Sequence, residues 1–124
     1  MDRTSNFSAN CDAIASRCAL FATRRLARTL TRLYDAELTA TGLRGTQFNV
    51  LVAIARSRGR TLIDRRIRMV ELTSLGKQRV SAGMVGWQRA QEQVEATRSA
   101  VDWSELNAQL RRLNRLLIVD GQSQ

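Results

Sequence analysis

Apolar residues recur every three or four positions along most of this chain, and that period predicts helices. Ile14, Cys18, Phe21, Leu26, Leu30, Leu33 and Leu38 form the first series. Asn10 or Ser8 can cap it, Asp12 lies in the favourable first turn, and Gly42 ends it. The spacing predicts one helix of about thirty residues, ~45 Å long, which is long for so small a domain. Residues 1–9 are polar and without period, so they read as a flexible N-terminus.

Thr46 is placed to cap a second helix, "TQFNVLVAIARS", with Phe48, Leu51, Val52 and Ile54 on its buried stripe. The period then changes. Ile67, Met69, Glu71 and Thr73 alternate with Arg68, Val70 and Leu72, a two-residue repeat that predicts a short strand over 67–73. Thr73 caps a third helix reaching Arg98, with Leu75, Val80, Val85, Trp87 and Val94 as apolar members. Asp102 to Glu105, "DWSE", resembles a capping box for a last helix carrying Leu106, Leu110, Leu113, Leu116 and Leu117. The closing "DGQSQ", 120–124, reads as a loose polar tail.

A length of 124 residues suits a single domain. No apolar run approaches the roughly 20 residues that a membrane span needs, and the N-terminus lacks a signal-peptide pattern. The expected location is the cytoplasm. Charge adds more. The net charge is +9, carried by nineteen arginines and the single Lys77. Six arginines lie between Arg56 and Arg68, opposed only by Asp64. So local an excess points to a polyanionic partner.

The chain has no histidine, which removes the usual general base and the commonest metal ligand. Two cysteines fall short of the four ligands of a structural zinc site. On one helix Cys11 and Cys18 would stand ~10 Å apart, too far for a disulfide. They read as two thiols. No glycine-rich phosphate loop and no catalytic constellation is present, so no enzyme activity, metal or cofactor is expected.

Two blocks carry a family resemblance. Residues 18–62, "CALFATRRLARTLTRLYDAELTATGLRGTQFNVLVAIARSRGRTL", and residues 64–80, "DRRIRMVELTSLGKQRV", resemble the MarR family of bacterial winged-helix transcription regulators. Asp64, Arg66, Val70, Leu72, Thr73 and Gly76 match the family's wing pattern. The resemblance implies a mainly α, winged-helix fold with long N- and C-terminal dimerisation helices and a short β-wing. One domain would span 10–119: dimerisation helices at 10–41 and 74–119, and a remnant DNA-binding lobe with the wing strand at 45–73. It implies a dimeric DNA-binding regulator, usually a repressor, acting on a palindromic operator in double-stranded DNA.

Arg66 matches the wing-tip arginine that enters the minor groove, where a narrow groove's negative potential attracts it. Asp64 would brace it, and Arg65 and Arg68 would touch phosphates. Ile14, Leu106, Leu110, Leu113 and Leu117 are the candidates for the homodimer contact. Many relatives bind small phenolic or anionic effectors in a crevice beside the DNA-binding lobe, and here Phe21, Arg24, Arg25 and Trp87 are candidate lining residues. Others sense oxidants through a cysteine near the start of the first helix. This chain has Leu20 at that position, and Cys18 lies two residues earlier, about 200° around a helix.

One departure matters as much as the match. After "GRTL" the family continues with a helix-turn-helix and a second wing strand, but here Leu62 is followed at once by Ile63. The missing elements amount to roughly thirty residues. Either a segment is missing between Leu62 and Ile63, or the chain is a deletion that keeps the dimerising frame, or the strand pairs across a dimer. The intact pattern of both flanking blocks favours the first. The alternative function is a helical dimerisation module that cannot read DNA sequence because its recognition helix is deleted.

Overall fold

The computed structural model describes residues 3–57 and 71–122, with side chains described as far as Ile118. Five helices follow in order: α1 (Arg3–Arg17), α2 (Ala19–Leu38), α3 (Gly45–Ser57), α4 (Ser74–Glu95) and α5 (Trp103–Gln122). Short 3-10 turns extend α2 through Thr39–Thr41 and α4 through Ala96–Ser99.

The expected first helix is two helices. Cys18 leaves the helical region, with φ −70° and ψ 116°, and its sulfur accepts the amide N–H of Phe21 at 3.4 Å. It thus acts as the cap of α2, a role usually taken by a short side-chain oxygen. Helix α1 begins at Arg3, so residues 3–9 are helical rather than frayed. At the other end, α5 runs through the expected tail to Gln122.

The fold class needs a correction. Among the described residues every regular element is helical and none is a strand. The mainly α part of the expectation holds, and the β-wing does not. Glu71, Leu72 and Thr73, assigned to a strand by alternation, are irregular backbone leading into α4. A strand is stable only when a neighbour takes up its backbone groups. Leu72 instead packs against the core, and Thr73 Oγ1 accepts the Gly76 N–H at 3.0 Å, capping α4 as expected. Asp64, Arg65, Arg66 and Arg68 and the Leu62–Ile63 join lie outside the described residues.

The core sits where α2, α3 and α4 meet. Leu38, Phe48 and Val80 are buried there, with Leu43, Leu51, Val52 and Leu72 packed around them. Two glycines on α4 let the helices approach. A Cβ on Gly83 would lie 2.8 Å from Phe48 Cε2, and one on Gly86 would fall on the backbone carbonyl of Glu37. Ala90, one turn on, is also fully buried.

Polar contacts fix the same junction. The turn after α2 closes on Gly42 in the left-handed region at φ 73°, with its N–H donating to Thr39 O at 3.1 Å. Arg79 of α4 donates to Thr41 O at 2.7 Å, placing a cation at the negative end of α2. Asp35 Oδ1 accepts the Gly45 N–H at 2.6 Å and so caps α3 from a different helix. Gln47 Oε1 accepts the Arg44 N–H at 3.0 Å. Thr46, the expected cap, therefore has no such task.

Candidate functional site

A crevice of about 310 Å³ opens between α2, α3 and α4. Ala27, Leu30, Thr31 and Tyr34 form the α2 wall, Thr46, Phe48 and Asn49 the α3 wall, and Trp87 the α4 wall. The volume falls at the lower end of small-molecule pockets. Its lining mixes apolar side chains with a few polar tips, the composition common in small-molecule pockets.

Of the residues expected there, only Trp87 lines the crevice. Phe21 and Arg25 stand elsewhere on α2, both exposed, with the guanidinium of Arg25 5.6 Å above the Phe21 ring. Arg24 is exposed as well. The period shared by Phe21 and Arg25 brings them to each other, not to the cavity. Tyr34, Thr46 and Asn49 were missed. Tyr34 offered a signal, being the only tyrosine and lying four residues beyond Leu30 on the apolar side. Asn49 and Thr46 offered none, because their role depends on where α3 docks.

Tyr34 anchors a polar clamp. Its hydroxyl donates to Gln91 Oε1, and Gln91 Nε2 donates to Glu95 Oε1 at 3.2 Å. Burial, and then the nearby Glu95 carboxylate, push the Tyr34 phenol above its ordinary value. Gln93 Nε2 donates to Glu37 Oε1 at 2.9 Å, a second bridge between α4 and α2. Neutral at ordinary pH, Tyr34 presents the crevice with a ring and a hydroxyl already engaged.

Three of the five expected dimerisation residues are exposed apolar side chains. Ile14 is 64% exposed, Leu113 47% and Leu117 60%. Leu106 and Leu110 are half-buried. Phe7, Leu116 and Ile118 are exposed too. Neither α1 nor the described part of α5 has a buried residue. These faces carry the amphipathic pattern of packed helices, yet among the described residues nothing covers them.

Cys11 is exposed and Cys18 partly so, and both are free thiols. No group of three or more metal-ligating side chains occurs among the described residues. No described helix is long and apolar enough to cross a membrane.

No family model and no curated protein matches this chain. Among solved structures it is similar to the crystal structure of the M. tuberculosis transcriptional regulator MosR. The two are 24% identical, with a TM-score of 0.71 over 85% of this chain and 98% of that one. A likeness of that depth at that identity establishes a shared fold.

Proposed function

We propose that this chain is a DNA-binding transcription regulator of the MarR type that works as a homodimer. The observation that carries the reading is the shared fold with a transcriptional regulator along almost the whole of that regulator's chain. Two features of this molecule support it. The net charge of +9 suits a polyphosphate partner, and its densest part is the Arg56–Arg68 segment. The bare apolar faces of α1 and α5 suit a second copy.

In this reading Ile14, Leu106, Leu110, Leu113 and Leu117 bury against the partner. Arg65, Arg66 and Arg68, with Asp64 beside them, contact the duplex. Repression by occupancy of a palindromic operator is the expected mode, in the cytoplasm. The crevice walled by Tyr34, Phe48 and Trp87 is the seat for a small phenolic or anionic effector that alters DNA affinity.

Binding-site selection from a randomised duplex pool, followed by gel shift, tests the reading. Recovery of a two-fold symmetric site bound by a dimer supports it. A dimer that enriches no sequence points instead to a helical dimerisation module. One observation favours that second reading: only residues 58–70 separate the described helices α3 and α4 from each other before the Leu72 coil, less than half the roughly thirty residues that the family's reading elements take.

A further inference from the structure

The arginines of α2 are not scattered. Arg24, Arg28 and Arg32 follow at four-residue steps, which places them in one stripe with ~6 Å of rise between neighbours. Phe21 and Arg25 flank the stripe, joined by their ring contact. All three arginines are exposed.

Among the described residues none of the three guanidiniums has an ion-pair or hydrogen-bond partner. Asp35, the acid nearest the stripe in sequence, directs its Oδ1 to the Gly45 amide rather than to a guanidinium. Like charges four apart weaken a helix, so the stripe works against the element that carries it. An external polyanion reverses that effect.

The stripe also stays accessible in a dimer. Leu26, Leu30 and Leu33 share the other side of α2, about 160° around the helix from the arginines. Leu26 is exposed, and Leu30 and Leu33 are half-buried. A helix that covers these leucines leaves the arginines in water. On the crevice wall Ala27 and Thr31 adjoin the stripe at three-residue spacing, while Leu30 and Tyr34 lie farther round the helix.

We infer that Arg24, Arg28 and Arg32 form a second phosphate-contacting surface for duplex DNA, in addition to the contacts proposed for Arg65, Arg66 and Arg68. Guanidinium groups on one line engage consecutive phosphates along a strand and read no bases. The inference rests on the DNA-binding reading but does not require sequence preference.

The test uses the full chain and a labelled 30-base-pair duplex of mixed sequence, titrated from 50 to 200 mM salt. Wild-type protein is compared with Arg24→Gln/Arg28→Gln/Arg32→Gln and with the triple lysine variant. Each lost phosphate contact lowers the slope of log affinity against log salt by about 0.9. The glutamine variant is therefore expected to lose roughly two to three units of slope and 10- to 100-fold in affinity at the lower salt. The lysine variant keeps the slope. Circular dichroism melting shows whether both variants fold. An unchanged slope in a folded glutamine variant overturns the second surface and leaves the regulator reading standing. Wild-type protein that binds no duplex at all overturns both. Salt-dependent binding that the glutamines abolish, with no sequence enriched in the selection, keeps the surface and removes the regulator.

Discussion

The carboxylate of Asp35 holds the amide of Gly45, ten residues away and on another helix, at 2.6 Å. The contact satisfies an orphan N–H at the start of α3 and sets an anion at its positive end. It also ties the crevice's α2 wall to its α3 wall, since Tyr34 precedes Asp35 and Thr46 follows Gly45. Asp35→Ala should cost about 1–2 kcal/mol, as for other lost N-caps. Urea unfolding checks this. The midpoint should fall with the slope unchanged.

Gly86 is the tightest point between α4 and α2. Gly→Ala inside an exposed helix gains about 1 kcal/mol from propensity. Here the added methyl meets the Glu37 carbonyl, so backbone must move. Gly86→Ala should therefore destabilise, by about 1–3 kcal/mol in the range of overpacked cores. A thermal melt higher than wild type would contradict the close approach.

Tyr34 gives a pH dependence with a definite sign. Burial first and Glu95 second raise its phenol above the ordinary value of 10.0, so the folded state holds the proton more tightly. The unfolded chain releases it from pH 10 upward. Stability from this group is whole below that pH and is lost as pH rises through the folded value. Tyr34→Phe should flatten this part of the alkaline decline and cost about 0.5–1.5 kcal/mol at neutral pH through the lost bond to Gln91. Unfolding free energies between pH 8 and 11 separate the two effects.

Leu113→Glu with Leu117→Glu addresses the dimer. Burying one leucine contributes about 1.5–3 kcal/mol, so each loss weakens association roughly 10- to 100-fold. Light scattering after gel filtration should show a monomer at micromolar concentration. In a monomeric protein these exposed positions would tolerate glutamate, and the mass would not change.

Much of the frame was legible because helices announce themselves locally. The buried stripe of α3, the Thr73 cap and the leucine ladder of α5 follow from periodicity and capping chemistry within a few residues. Asp102 opens α5 as expected, its carboxylate accepting the Glu105 N–H at 3.4 Å. The break at Cys18 escaped notice because cysteine rarely caps a helix and the apolar period runs straight across it. The strand over 67–73 failed at Glu71–Thr73 for a different reason. Alternation reports only which side a residue faces, while a strand depends on a neighbour that no local pattern reveals. The crevice was the least legible part. Of the candidates named alongside the resemblance Trp87 lines it, and Phe21, Arg24 and Arg25 were assigned to a wall they do not reach. Which helix face becomes a cavity is decided by how three helices dock, and Gly83 and Gly86 set that docking.

Those two glycines also act as a ratchet pawl. If α4 slid one turn along its neighbours, Val80 would arrive where Phe48 needs Gly83, or Arg89 where Glu37 needs Gly86. Either direction is jammed by a side chain. The register between these helices is thus locked from both sides by the two positions that lack a side chain.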